Sequence, residues 1–383
     1  MEDKSEAVEI AKLASDLVRI PSVSGNTEKV AEVADFIAEW MKKNGISAEI
    51  VNFEKNAPVV ISQVGKGKKT ILLNGHMDVV PEGDSRMWRA DPYSGKLDGK
   101  GLYGRGAADM KGGLATMMHV FAEIADRTDH KVMFTAVPDE EIGGEKGARH
   151  LADRYAPDLV LLGEPSKSEM IGLGEKGLLQ IKLIGEGRTA HASLPSLGKN
   201  AIMKVVRDIE RLSEISNVRI NAPKEVRPLL QEGVRRLGKD VGTITFNPGT
   251  INGGLKPNVV PDHCEVGIDM RLPPGITIKK AISIARSLIK ETKIQIDSTS
   301  EPNVTSPSVK EVARFIRTAK EHSPNARAVI KNGATDGCYF RYKGVPVVGF
   351  GPGSNELTHS YNEYVSLREI DIAHKVYRNF LLG

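Results

Sequence analysis

Cysteine is scarce in this sequence. Only Cys264 and Cys338 occur among 383 residues, far apart and in no metal-binding spacing. This scarcity argues against a disulfide framework and against a zinc site built from thiolates. It suits a protein of the reducing cytoplasm, which is the location that we expect.

Long apolar runs and blocks of like charge are missing as well. No apolar stretch reaches the length of a membrane span, and residues 1–18 form an acidic amphipathic pattern without the apolar segment of a signal peptide. The formal net charge is +4, with basic and acidic residues interspersed. The densest basic runs, residues 66–69 and 234–239, are typical of solvated turns. We therefore expect a soluble globular protein with no nucleic acid and no membrane as partner.

The order of the predicted elements indicates two domains. Strands and helices alternate up to about residue 174 and again near the carboxyl terminus, which predicts an α/β layer with a mostly parallel sheet. Between these parts the order is βαββαβ, as in a ferredoxin-like unit. We predict one domain from residues 1–174 and 298–383, interrupted by a second domain at 175–297. The predicted helices are 27–44, 111–126, 145–155, 197–213, 277–291, 307–321 and 367–381, and the predicted strands are 46–53, 58–64, 70–76, 131–137, 158–165, 178–187, 242–251, 263–272, 293–299 and 345–351.

Polar residues interrupt the ends of three apolar strands: His76 and Asp78, then Glu140 and Glu141, then Glu164. Taken singly, each has an ordinary explanation as a satisfied histidine, a solvated helix start or a turn acid. However, ligands of open α/β sheets gather beyond the carboxyl ends of the strands. The coincidence of these residues at successive strand ends therefore favours a shared crevice.

Asp109, at a predicted helix start, and His359, in the loop before the last helix, complete this set. Crowded carboxylates repel one another, and a bound cation relieves that cost. Imidazole and carboxylate ligands without thiolate suit zinc, cobalt or manganese. Five ligands exceed the need of one open tetrahedral site, so two metal ions sharing a bridging carboxylate would account for them.

The glycines of GLYGRGAADMKGG suggest a dinucleotide or phosphate loop as an alternative. Asp109 occupies the place of the third glycine, where a carboxylate would repel a pyrophosphate. The chain also lacks the Walker lysine spacing. We therefore do not expect nucleotide binding.

Five spaced motifs resemble those of a known family. GHMDVVP, GRGAADMKGG, the adjacent EE pair, GEPS and the late TH-S-x-NE-x-V are similar to motifs of the zinc-dependent amidohydrolases and exopeptidases. That family includes acetylornithine deacetylase, succinyl-diaminopimelate desuccinylase, aminoacylase and the glutamate carboxypeptidases. The match covers nearly the whole chain in order. It implies a metal-binding catalytic α/β domain interrupted by a ferredoxin-like lid that dimerises.

The resemblance also implies roles for individual residues. Asp109 would bridge two metal ions, with His76 and Glu164 on one and Glu141 and His359 on the other. Glu140 would be the general base, and Asp78 would orient His76, since metal-binding histidines usually donate their second N–H to such a partner. A cis peptide bond after Asp109 is a further expectation from the family.

Three residues of the lid and one of the last domain segment carry weaker signals. His191 resembles the family histidine that stabilises the oxyanion, commonly across a dimer, while Asn258 and Arg271 match substrate-contact positions. Their ordinary alternatives are a loop histidine, a turn asparagine and a strand arginine paired with Asp269. Asp336 lies in a glycine-rich family segment, without an assigned role.

The resemblance implies metal-dependent hydrolysis of an N-acyl amino acid, of the acetylornithine or succinyl-diaminopimelate kind. A dipeptidase or carboxypeptidase activity is the alternative within the family. A binding protein that has lost its chemistry is a third hypothesis, which the competent residue at every motif position disfavours.

Overall fold

The computed structural model describes residues 3–383, with side chains from residue 6 onward. None of the helices described is both long and apolar enough to cross a membrane. The helices are α1 (Asp3–Val18), α2 (Thr27–Lys43), α3 (Gly112–Glu123), α4 (Ala148–Arg154), α5 (Ala201–Ser213), α6 (Arg227–Leu237), α7 (Ile278–Leu288), α8 (Lys310–His322), α9 (Gly337–Tyr342) and α10 (Leu367–Leu382). The strands are β1 (Ala48–Asn52), β2 (Pro58–Val64), β3 (Thr70–His76), β4 (Lys96–Leu97), β5 (Gly101–Tyr103), β6 (Lys131–Val137), β7 (Leu159–Leu162), β8 (Met170–Glu175), β9 (Gly177–Glu186), β10 (Asn247–Gly253), β11 (His263–Leu272), β12 (Lys293–Ser300), β13 (Asn303–Val304), β14 (Arg327–Lys331), β15 (Val347–Gly349) and β16 (Tyr364–Ser366).

The described chain divides into two compact units. The first contains the chain up to Leu173, Thr305–Val329 and Thr335–Gly383. The second contains Gly174–Val304 and Ile330–Ala334. Relative to the predicted boundaries, the second unit extends beyond residue 297 to Val304 and gains a short segment from the end of β14.

A central sheet organises the first unit. Seven of its strands follow the order β1-β2-β6-β3-β7-β15-β8. Strands β6, β3, β7 and β15 run parallel, while β1, β2 and β8 are antiparallel to their neighbours. Strand β3 is buried at every position after Thr70, as expected for a strand whose two faces are both covered. The mostly parallel α/β sheet is therefore confirmed.

Helices α1, α3 and α10 pack against one another in this unit. Helix α3 reads as almost continuously apolar, and its residues from Gly112 to Met118 are all buried, which is typical of a helix enclosed on several sides. Helix α10 begins with a capping box between Ser366 and Glu369, which satisfies free N–H groups of its first turn.

A four-stranded antiparallel sheet forms the second unit, in the order β10-β11-β9-β12. Strands β9 and β11 alternate between buried and half-buried positions, so one face of the sheet is apolar. Helices α5 and α7 pack on this sheet and enclose a core that includes Leu179, Ile181 and Val266. The element order is that of the ferredoxin-like unit, with α6 added between α5 and β10.

Some elements differ from the predictions. Strand β10 begins at Asn247 rather than residue 242, because Lys239–Gly242 forms a 3₁₀ turn. The carbonyl groups of Asp240 and Thr243 in this region accept hydrogen bonds from the buried Lys176 side chain. Helices α6 and α9, strands β8 and β14 and the small β16-β5-β4 sheet were not predicted.

Candidate metal centre

The predicted strand-end residues of the first unit lie at one edge of the central sheet. Strand β3 ends at His76, and the parallel pairing sets His76 beside Val137 of β6 and Asn74 beside Leu162 of β7. The segments that follow β6 and β7 therefore leave the sheet at the same edge as β3. Glu140 and Glu141 lie in the 3₁₀ turn after β6, and Glu164 follows β7 by two residues.

The Asp109 carboxylate lies between two histidines. Its Oδ1 is 3.2 Å from His76 Nε2, and its Oδ2 is 3.4 Å from His359 Nε2. His359 Nε2 is also 3.0 Å from Glu141 Oε2, and His76 Nε2 is 3.9 Å from Glu164 Oε1. The structure thus brings all five predicted ligands together, with one Asp109 oxygen directed to each half of the set.

Asp78 orients two parts of the site in different ways. Its main-chain carbonyl, rather than its carboxylate, lies 2.8 Å from His76 Nδ1, while the nearer carboxylate oxygen is 3.6 Å away. This bond holds the ring so that Nδ1 faces the main-chain carbonyl and Nε2 faces the cluster. The carboxylate accepts the backbone N–H groups of Glu140 and Glu141 and the hydroxyl of Ser24. Asp78 therefore fixes the turn that carries the acidic pair, a role that the sequence did not predict.

The electrostatics of the cluster are those of concentrated negative charge. Hydrogen bonds to Asp109 and Glu141 raise the pKa of His359 to about 10. Burial opposes protonation of His76, yet its bond to Asp109 and the charge of Glu140 hold its pKa well above the ordinary value. Burial and the charge of Glu164 raise the pKa of Glu140 well above the range of an exposed carboxyl group. Without a cation, these groups bind protons instead.

The donor set fits divalent metal ions. Ligand atoms of His76, Asp109 and Glu141 all lie within 4.8 Å of one another. Among the described residues, Glu141 Oε1 is buried and has no hydrogen-bond partner, although a buried carboxylate oxygen is costly to leave unpaired. Two imidazoles and three carboxylates without a thiolate match the preferences of zinc, cobalt and manganese.

A second carboxylate supports the loop that carries Asp109. Glu363 is fully buried and accepts hydrogen bonds from the Arg105 guanidinium and from the backbone N–H groups of Gly106, Ala108 and Asp109. The Asp109–Met110 peptide bond is cis, as expected from the family resemblance. Glu363 belongs to the late motif that contains His359, but its place in the sequence alone predicts no role for it.

Asp336 is a buried neighbour of the cluster. Its Oδ2 lies 3.5 Å from Asn74 Nδ2 near the end of β3, and its residue precedes α9. Burial is the main cause that raises the pKa of Asp336 well above its ordinary value, and the nearby charges of Asp139 and Glu164 add to it. Asp336 thus adds another acidic group near His76 and Glu164.

The predicted lid residues belong to the second unit. His191 and Asn258 lie on neighbouring segments, since His191 pairs with Val259 and the Asn258 carbonyl accepts the N–H of Ala192. The exposed His191 ring lies 2.7 Å from the Ser193 hydroxyl. Arg271 on β11 forms two hydrogen bonds with Asp269. This pairing is the ordinary alternative for a strand arginine, and it occupies the guanidinium in the structure.

The fold and the site together define a metallohydrolase that acts on amide or peptide bonds. A family model described as Peptidase family M20/M25/M40 matches residues 72–383. The chain belongs to this family, as the motifs predicted.

Named relatives extend over almost the whole chain. An acetylornithine deacetylase of Vibrio atlanticus is 29% identical over 359 residues, covering 92% of this chain and 90% of its own. A Staphylococcus aureus protein named "Probable succinyl-diaminopimelate desuccinylase" is 25% identical over 395 residues, covering 94% of this chain and 95% of its own. An M20 family metallo-carboxypeptidase of Sulfolobus solfataricus has a similar structure, with a TM-score of 0.78, 23% identity and 98% of both chains covered. That last likeness concerns the fold alone.

Proposed function

We propose that this protein hydrolyses the amide bond of an N-acyl amino acid with two bound divalent metal ions. The observation that carries the proposal is the Asp109 carboxylate, which faces His76 with one oxygen and His359 with the other. In this proposal Asp109 would be shared by the two ions, His76 and Glu164 would complete one site, and Glu141 and His359 would complete the other. Zinc is the expected metal, with cobalt or manganese as alternatives.

Bound at these ligands, the ions would lower the pKa of a water molecule and polarise the scissile carbonyl group. Glu140 accepts the proton of the attacking water and delivers it to the leaving amine. Its backbone N–H is held by the Asp78 carboxylate, 3.1 Å away, so the turn that carries the base is fixed to the strand that carries His76. A general base must first lie within reach of the proton that it accepts, and only then does its pKa affect the rate.

Replacement of the proposed base tests this mechanism. We expect Glu140→Gln to lower kcat by about 10²-fold to 10⁴-fold, because the amide cannot accept the proton, while the content of bound metal stays at the wild-type level. Glu145→Gln is the matched control, since Glu145 lies in the next part of the same loop and pairs on the surface with Arg149. Near-normal turnover by Glu140→Gln with both metal ions bound would show that Glu140 is not the base.

The acylated substrate is inferred from the relatives. Two relatives each match about nine-tenths or more of the chain. One is named for the deacetylation of acetylornithine, and the other for the desuccinylation of succinyl-diaminopimelate. Both names describe removal of an acyl group from the amine of an amino acid. We therefore place acetyl or succinyl amino acids first, and dipeptides second.

Lid residues would complete substrate binding. We assign His191 to the oxyanion and Asn258 and Arg271 to substrate contacts, and a substrate carboxylate would compete with Asp269 for the Arg271 guanidinium. Unchanged kcat and KM in a His191→Ala variant would remove His191 from this assignment.

A homodimer through the second unit is part of the proposal. Strand β10 is an edge strand whose seven residues are all exposed, and unpaired edges are suited to strand pairing. Exposed apolar side chains accompany it, including Ile251 at 60% and Leu255 at 92% exposure. A single species of monomer mass in a sizing experiment at micromolar concentration would contradict the dimer.

We also propose that the protein acts in the cytoplasm. The sequence contains two cysteines, Cys264 and Cys338, far apart and in no metal-binding spacing, and such scarcity fits a reducing compartment. Recovery of the protein in a membrane or extracellular fraction would contradict this location.

A further inference from the structure

A second histidine and carboxylate cluster lies on helices of the first unit, outside the residues discussed above. It consists of Glu6 on α1, His119 and Glu123 on α3 and His374 on α10, and is called here the helix cluster. One ligand atom from each residue lies within 4.8 Å of all the others. The cluster thus joins three helices that pack together, one of them near the start of the chain and one at its end.

The distances within the helix cluster are those of groups directed at a common point. His374 Nε2 lies 3.0 Å from Glu123 Oε2 and 3.5 Å from Glu6 Oε2. His119 Nδ1 lies 3.9 Å from the same Glu6 oxygen. Ligands bound at 2.0 to 2.2 Å in a tetrahedral site are separated by about 3.4 Å. The three distances above differ from this separation by about 0.5 Å or less, and all pairs of donor atoms lie within 4.8 Å.

Two of the four donor atoms make no hydrogen bond. Among the described residues, Glu6 Oε2 and His119 Nδ1 are buried atoms without a hydrogen bond. Leaving such atoms unpaired costs free energy, and they face each other across a distance that is too long for a hydrogen bond. The His374 side chain is only 6% exposed and points at the same oxygen.

Two arginines fix the orientation of the Glu123 carboxylate in the helix cluster. Arg378 and Arg127 both contact Oε1 of Glu123, which leaves Oε2 directed at His374. Outer partners of this kind commonly fix the ligands of a metal site.

We propose that the helix cluster binds one divalent transition-metal ion, separate from the ions proposed at Asp109. Two imidazoles and two carboxylates without a thiolate form a donor set for zinc or cobalt. The bound ion links α1 to α3 and α10 and stabilises the first unit, since a metal that binds only the folded state raises its stability. This inference does not depend on the hydrolytic function.

Metal content tests the proposal. Full-length protein is saturated with zinc at micromolar concentration, dialysed against metal-free buffer and analysed for zinc per chain. We expect Glu6→Gln and His119→Asn to bind one ion fewer than the wild type. The matched control is Glu9→Gln, which removes a charge from the same helix at an exposed residue that pairs with Lys12. Equal zinc content in all four proteins would overturn the proposal.

A second experiment separates the helix cluster from the Asp109 site. In the Asp109→Asn background, which removes the proposed bridging ligand, we expect added zinc still to raise the melting temperature. The increase should be lost in Asp109→Asn combined with Glu6→Gln, a change at a side chain that is 46% exposed and therefore tolerable to the fold. A zinc-induced increase of equal size in both proteins, or none in Asp109→Asn, would overturn the proposal even if the catalytic assignments are correct.

Discussion

Glu363 shows how a single buried carboxylate can organise a site that it does not enter. All four of its hydrogen-bond partners are donors, at distances between 2.7 and 3.0 Å, and a carboxylate can accept about that many bonds. Three of the donors are backbone N–H groups at or just before Asp109. The position of the proposed bridging ligand therefore depends on a side chain that is 254 residues away in the sequence.

Replacement of Glu363 should weaken both stability and metal binding. In Glu363→Gln an amide NH₂ would face N–H donors, and the buried Arg105 would lose its counter-charge. We expect the free energy of unfolding to fall by about 3 kcal/mol, as when one partner of a buried ion pair is removed, together with weaker cobalt binding. Urea unfolding and a cobalt titration measure the two effects.

The control for Glu363 is Glu356→Gln. Glu356 belongs to the same carboxyl-terminal loop, but its side chain is 74% exposed and pairs with Lys167 on the surface. Exposed pairs of this kind contribute little to stability, so this variant should behave as the wild type. A Glu363→Gln protein within about 0.5 kcal/mol of the control would contradict the role given to Glu363.

Lys176 gives the second unit a pH-dependent stability. Burial lowers its pKa from 10.5 to about 8, although the charge of Asp240 acts in the opposite direction. Between these two pH values the unfolded chain binds more protons at this lysine than the folded chain does, so stability rises with pH in this window. Below pH 8 the full cost of burying the charge is present.

Comparison with Lys176→Met isolates this contribution. The stability of the wild type relative to the variant should increase by up to about 2 kcal/mol between pH 7.5 and 9.5, as measured by urea unfolding at both pH values. The difference between the two proteins cancels other groups that titrate in the same range. A relative stability that stays constant, or that falls as the pH rises, would contradict the lowered pKa.

The sequence indicates which residues to expect near the site better than it indicates the contacts that each of them makes. His76, Glu141 and Glu164 were proposed as ligands because a polar residue at the end of a buried strand is exceptional. The sequence could not show that the carboxylate of Asp78 holds the turn at Glu140, because that contact joins the end of β3 to a turn 62 residues later.

At the scale of elements, a buried side chain of helix α5 contacts the second half of its unit. Asp208 is fully buried and accepts the backbone N–H groups of Lys290, Glu291 and Thr292, at 3.0, 2.8 and 2.8 Å. These residues form the connection between α7 and β12. The carboxylate therefore fixes the point at which the last strand of the ferredoxin-like sheet begins.

Removal of this carboxylate should destabilise the second unit. Asp208→Ala leaves three backbone N–H groups of the connection without their acceptor, and we expect a loss of about 3 kcal/mol in the free energy of unfolding. Urea unfolding measures it, with Glu210→Ala as the control, because Glu210 is an exposed residue of the same helix. Equal stability of the two variants would show that water or another group replaces the carboxylate at no cost.

Elements with a clear local pattern were predictable, and short ones were not. The alternation along β9 and β11 and the continuous apolar run of β3 were sufficient to place these strands. Strand β5 has three residues, and its partner β16 lies more than 250 residues away. Such a strand is defined by its pairing, so no local periodicity could reveal it.

At the scale of the whole molecule, the first unit alone contains the five proposed metal ligands, drawn from segments between residues 76 and 359 of the sequence. Parallel strand ends explain why His76, Glu141 and Glu164 meet. Asp109 was added to the set from a predicted helix start and His359 from the loop before the last helix, although no local rule places either segment beside the strand ends. His191, Asn258 and Arg271 belong to the second unit, and their roles stay predictions.

Metal-dependent release of a free amine is the most direct test of the proposed function. Chelator-stripped protein and protein restored with zinc or cobalt are incubated with N-acetylornithine, N-succinyl-diaminopimelate, other N-acyl amino acids and dipeptides. We predict that at least one acylated amino acid is hydrolysed, that activity is lost on stripping, and that added metal restores it. Hydrolysis of dipeptides alone, or hydrolysis that persists after complete removal of metal, would contradict the proposal.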